Sequence, residues 1–185
     1  DKARDKSTLK HIWADSPIGV LNQGQVGYCH AFSAAMLVAL KRAQQGLPFV
    51  SLSASSVGGP VTGWRNAVAY IHDDLDQIVE FGVSSTDFVP MLTTNQRDAK
   101  PGWKENALLH RVSEFTDVKP RNFLEHGSLL LENHPVGVGL NYWRHAVTDL
   151  VLLDLYPKKK AIDWTRYGID FLNSWDKSWG DGGFG

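Results

Sequence analysis

One cysteine, Cys29, and seven histidines are the residues of this chain best suited to covalent chemistry. Cys29 stands where a loop containing Gly24 and Gly27 runs into a long apolar stretch. A sulfur at the start of a helix meets unpaired amides and the positive end of the helix dipole. Both favour a thiolate over a free thiol with a pKa of about 8.5. A thiolate near an imidazole is a nucleophile with its own acid and base, the equipment for acyl transfer. Position alone leaves an inert, buried cysteine equally open. A single cysteine also rules out an internal disulfide and a thiolate zinc site of the four-ligand kind. It favours a reducing compartment.

The elements that must position such a sulfur follow from periodicity. Cys29 to Gln45 predicts a helix rich in Ala, Leu and Met, apolar on most faces until Lys41, with Gly46 as its C-terminal cap. Residues 1–14 read as a polar arm, and Ser51 to Gly63 as a long loop of Ser, Gly and Pro. A second helix is expected from Arg65 to Glu80, with Ala67, Val68, Ile71, Leu75, Ile78 and Val79 inward. Asp73, Asp74 and Asp76 read as its solvated face. Asn95 to Trp103 looks like a boundary between lobes. Beyond it, Val112–Val118, Val136–Leu140, Ala146–Leu155 and Ile169–Leu172 read as strands, and Asn122–Asn133 as a short helix. The reading is an α+β chain: arm 1–14, helical lobe 15–100, β-rich lobe 101–185.

Composition narrows the function classes. Of 185 residues 43% are apolar, enough for an ordinary core, and the net charge of −1 comes from scattered residues. The run Lys158-Lys159-Lys160 reads as a solvated turn, so no nucleic-acid partner is expected. No apolar run approaches the roughly 18 to 20 residues of a membrane span. Asp1 to Lys6 carry charge with no apolar segment behind them, so no secretory signal is expected.

Three segments, in order, then resemble the papain-like cysteine peptidases. The first is Gln23-Gly24-Gln25-Val26-Gly27-Tyr28-Cys29-His30-Ala31-Phe32, the second His145-Ala146-Val147, the third Asn173-Ser174-Trp175-Asp176-Lys177-Ser178-Trp179-Gly180. The resemblance implies that family's two-lobe fold, a long central helix packed against an antiparallel sheet or barrel. It implies Cys29 as nucleophile, His145 as base and acid, Asn173 as the group orienting the imidazole, and Gln23 with the Cys29 amide as oxyanion donors. Trp175, beside Trp179, would cover the His–Asn bond. Gly63 and Trp64 would lie near the substrate backbone, and Gly139 and Ala146 would line a roomy pocket for a large apolar side chain. The expected substrate is a polypeptide, with no cofactor and no metal, and with an inhibitory propeptide or protein partner as the means of restraint.

Several positions depart from that pattern. His30 replaces a tryptophan, Asp176 a glycine and Val26 a disulfide cysteine, and only Asn141 to Arg144 separate Leu140 from His145. His30 would tune the thiolate or fill a polar gap, and Asp176 would set a negative charge near the imidazole. Tyr142 and Trp143 would either wall the cleft or close a tight hairpin. His11, His30, His72, His110, His126 and His134 are expected to be structural or solvated. The rival functions are an amidase or acyl transferase of the same chemistry, and an inactive papain-like subunit of an assembly.

Overall fold

A computed structural model describes residues 9–15, 17, 19–156 and 166–185. The three lysines at 158–160 and the first eight residues of the expected arm lie outside them. The element order is α1 (Leu9–Ala14), α2 (Cys29–Gln44), α3 (Ser55–Thr62), α4 (Ile71–Phe81), a 3₁₀ turn (Gln96–Asp98), α5 (Trp103–Leu108), α6 (Phe123–Leu131), β1 (Val136–Leu140), β2 (His145–Asp154) and β3 (Tyr167–Leu172). No helix among the described residues is long and apolar enough to cross a membrane.

Helix α2 is the axis of the molecule. Eleven of its sixteen residues are buried, from Cys29 through Leu40, as its Ala- and Met-rich composition requires. It stops where Gly46 takes φ +69°, with the Gly46 and Leu47 amides bonded back to Ala43 and Arg42. Against it lie α1, α3, α4 and the antiparallel sheet β1-β2-β3. Strand β2 is buried over eight consecutive residues because α2 covers one face of the sheet and α6 the other. An irregularity between Asp149 and Val151 breaks the alternation there, so Leu150 and Val151 both enter the core against α2 while Leu152 packs towards α6.

Four expectations need correction. The expected arm ends in α1, whose Leu9 and Trp13 are buried, a burial worth about 2 kcal/mol for each. The expected loop at Ser51–Gly63 contains α3. Its small residues serve packing, for a Cβ on Gly58 would fall 2.9 Å from the Tyr28 ring. Tertiary contact here overrides poor helix propensity. Helix α4 begins at Ile71 rather than Arg65, leaving Val68 and Tyr70 exposed. Val112–Val118 forms no strand, having no neighbour to pair with among the described residues.

Candidate active site

Helix α2 and strand β2 bring the first two motifs together, and their relative position is pinned. Ser33, one turn into α2 from Cys29, donates its hydroxyl to the carbonyl of Val147 (2.8 Å), two residues along β2 from His145. The same hydroxyl lies 3.0 Å from that of Thr148, and all three residues are buried. Cys29 itself is 7% exposed, and the backbone N–H of Ala146, the neighbour of His145, favours its thiolate.

The third motif supplies the partner of His145. Its Nε2 lies 2.7 Å from Asn173 Oδ1, an oxygen that also accepts from the Ser174 amide at 2.7 Å. That second bond fixes which end of the carboxamide faces the ring. Since a carbonyl oxygen only accepts, the imidazole proton sits on Nε2 and Nδ1 keeps its lone pair. Trp175 stacks on the imidazole with centroids 4.2 Å apart and a 25° tilt, and Trp179 meets Trp175 edge-on at 5.8 Å. Asn173 is fully buried, so the bond is shielded from competing water.

Gln23 is stitched to the same segment. Its backbone N–H donates to the Ser174 carbonyl (2.9 Å), and its Oε1 accepts from the Ser174 hydroxyl (2.6 Å). Its Nε2 donates to Val26 O at 3.1 Å, leaving the other N–H of that group for a further acceptor. Asn22 pairs with Trp175 in a β-bridge, and the Asp176 amide donates to Leu21. The four residues Cys29, His145, Asn173 and Gln23 therefore share one region built from three distant segments.

Burial governs the electrostatics. It pushes the Cys29 thiol up, an effect that the N–H groups of Ala146, His30 and Cys29 oppose and the Asp74 carboxylate reinforces. The helix-start amides act as the sequence suggested, but desolvation is the larger influence. Burial also pushes His145 down, against the Asn173 bond that favours its cation. Each group, taken singly, is held towards its neutral form.

The departures find physical reasons. Asp176 takes φ +82°, a left-handed conformation that glycine adopts freely and Asp tolerates better than most residues. Its carboxylate is held low, mainly by the Ser178 amide (2.9 Å) and also by Asn22. His30 is sealed in the interior, its Nδ1 2.6 Å from Asp74 Oδ2, both side chains at most 2% exposed. Asp74 thus corrects the expected solvated acidic face: it lies with Ile71 and Ile78 on the inward side of α4. Asn141 to Arg144 form a tight hairpin with Leu140 opposite His145, and Trp143 rests near Trp175, Trp179 and Phe171.

The expected substrate residues divide. Gly139 pairs across the sheet with Ala146, and a Cβ on Gly139 would meet nothing within 4 Å. Trp64 instead packs on Gly59 and edge-on to Trp103, beside Gly63. The stretch lying against the loop before Cys29 is Asn66, which the sequence did not single out, and Ala67, expected only as an inward residue of the second helix. The Asn66 carboxamide accepts from the Gly27 amide (2.6 Å) and donates to the Gln25 carbonyl (3.1 Å). Among the described residues no cluster of three metal-ligating side chains occurs.

No family model matches the sequence, and no curated protein matches it. Among solved structures the chain is similar to digestive procathepsin L 3 from the larval midgut of Tenebrio molitor, with a TM-score of 0.69 and 17% identity. The match covers 90% of this chain and 59% of that one, so the chain spans about three-fifths of the length of the procathepsin. At this identity the likeness is one of fold: a mixed α+β chain that at a coarse level is folded like part of that papain-like protein.

Proposed function

We propose that the chain is a cysteine peptidase with lobes 15–100 and 101–185, cleaving peptide bonds through a thioester on Cys29. The observation that carries this reading is the shielded 2.7 Å bond between His145 and Asn173, on a strand pinned to the helix that Cys29 opens. In the proposed cycle, His145 Nδ1 takes the Sγ proton as sulfur adds to the carbonyl carbon and the carbonyl π pair moves onto oxygen. The free N–H of Gln23 Nε2 and the Cys29 amide donate to that oxyanion, each worth about 3 kcal/mol of barrier. Collapse expels the amine, which leaves with the proton from His145. Water, deprotonated by His145, then releases the acid and returns the thiol. In this cycle proton transfer accompanies attack, an order supported by burial, which favours the neutral form of each group taken singly.

Gly139, with open space where a Cβ would stand, and the small, buried Ala146 paired opposite it support a pocket for a large apolar side chain of a polypeptide substrate. The likeness to a proenzyme supports a propeptide-like restraint as partner.

The test is peptide hydrolysis together with iodoacetamide labelling from about pH 4 to 9, on the parent chain, Cys29→Ala and His145→Ala. We expect hydrolysis to vanish in both variants and His145 to accelerate labelling of Cys29. Labelling indifferent to His145, rising only near the free-thiol pKa of about 8.5, overturns the reading in favour of an inactive papain-like scaffold. Turnover of simple amides but not peptides would reassign the same chemistry to another acyl substrate.

A further inference from the structure

A second concavity lies apart from Cys29, His145 and Asn173, bounded by the ends of α3 and α4 and by α5. It encloses about 280 Å³. That is nearly twice the roughly 150 Å³ of a cavity known to hold benzene. Trp64 and Trp103 form its aromatic walls, meeting edge to face with centroids 6.0 Å apart. Phe81 and Leu108, also in the lining, remain 47% and 49% exposed.

The cavity is built, not left over. Trp64 holds φ +59°, a conformation that large side chains rarely adopt, directly after Gly63 in the same region. Its amide bonds to the Gly59 carbonyl, turning the indole back over α3, where a Cβ on Gly59 would fall 2.7 Å from the ring. Gly58 faces Tyr28 and the core, while its neighbour Gly59 faces the Trp64 indole that walls the cavity. At the other end a Cβ on Gly82 would lie 2.0 Å from the Ala107 carbonyl, so only glycine lets α5 close so tightly on α4.

The polar groups of the lining are few and of one character. Gln77 and Gln96 offer neutral carboxamides, and Lys104 is the single charged residue. Its ammonium lies 5.7 Å from the Trp103 ring centroid and pairs with no carboxylate among the described residues. Flat aromatic walls beside an unpaired cation select an apolar ring carrying an anion.

We propose that this cavity binds a small aromatic carboxylate, its ring against Trp64 and Trp103 and its carboxylate on Lys104. The site is independent of hydrolysis by Cys29, so its test needs no activity. The whole chain is titrated calorimetrically with 2-naphthylacetate and with 2-naphthaleneethanol, which has the same body without the charge. We expect saturable one-to-one binding of the acid, with a Kd of roughly 1 mM or tighter, and about fivefold weaker binding of the alcohol. Lys104→Gln should bring the acid to the level of the alcohol and leave the alcohol unchanged. Leu108→Glu should abolish both, with far-UV circular dichroism and Cys29 labelling retained as evidence of the fold. Absence of saturation by the acid, equal binding of acid and alcohol, or insensitivity of the acid to Lys104→Gln or to Leu108→Glu would each overturn the proposal.

Discussion

Two buried histidines belong to the elements that meet at Cys29, His30 next to it in α2 and His145 at the start of the strand pinned to that helix, and they rest on different kinds of oxygen. His145 Nε2 is bonded at 2.7 Å to the carboxamide of Asn173, and His30 Nδ1 at 2.6 Å to the carboxylate of Asp74. A neutral carboxamide orients an imidazole without tying it to the cationic state, so the ring stays free to take and return a proton. A carboxylate buried at 0% exposure needs its histidine as a counter-charge or proton partner. His30 also has its Nε2 buried without a hydrogen-bond partner in the protein, as has Asp74 at Oδ1. In the proposed function one pair cycles a proton, while the other joins α2 to α4.

The sharpest way to break this contrast is to remove each imidazole in turn. His145→Ala should lower kcat/KM for peptide hydrolysis by about 10⁴-fold or more, whereas His30→Gln should stay within about tenfold of the parent. A larger loss from His30→Gln, with folding intact, would move that residue into the chemistry. The order reverses for stability. Asp74→Ala, which strands His30 in the interior, should cost about 3 to 4 kcal/mol in urea unfolding. A cost below about 1 kcal/mol would show that the pair is dispensable.

Exchanging the kind of oxygen sharpens the comparison. Asn173→Asp should raise the His145 pKa, since a carboxylate favours the imidazolium. The acid limb of the kcat/KM profile, which needs neutral imidazole, then moves to higher pH; an unmoved limb would show that His145 is not the base. Folding stability responds too. The His145 pKa lies below the ordinary imidazole value, mainly through burial. Its contribution is therefore complete above about pH 6.5 and lost as pH falls through the folded value. Asp74 is raised, mainly by burial, and its contribution has the opposite sign: it is present below the ordinary carboxylate range and lost as pH rises. The smallest effect concerns the thiol, which the Asp74 charge helps to raise. Asp74→Asn should shift iodoacetamide labelling of Cys29 slightly towards lower pH, and a shift upward would contradict the assigned sign.

The same contrast shows what could be read from residues alone. The His145 region is written in short local motifs, and the segments around Gln23, Cys29, His145 and Asn173 do come together. The His30–Asp74 pair joins residues 44 apart, and the neighbours of Asp74 disguise it as part of a charged surface. Periodicity held the missing signal, because Asp74 falls three after Ile71 and four before Ile78, on the inward face. Helix α3 was hidden for a related reason: Ser, Gly and Pro read as loop, while their value here is close approach to Tyr28 and Trp64. Val112 and Val118 looked like strand residues, yet propensity without a pairing edge makes no strand.

The Ser33 hydroxyl, shared between the Val147 carbonyl and Thr148, has a consequence on the time axis. Separating sulfur from imidazole by prising α2 off β2 means opening a contact between residues of 0% exposure. Such openings belong to the slowest class of native fluctuation, the one that amide hydrogen exchange reports as global unfolding. The placing of Cys29 relative to His145 thus rests on a fully buried contact between α2 and β2. Loops at the rim, such as Asn141–Arg144, can fluctuate on far shorter timescales without altering it. Heat should then abolish the spacing and the fold in a single transition, with no earlier step in which the fold survives and the site is lost.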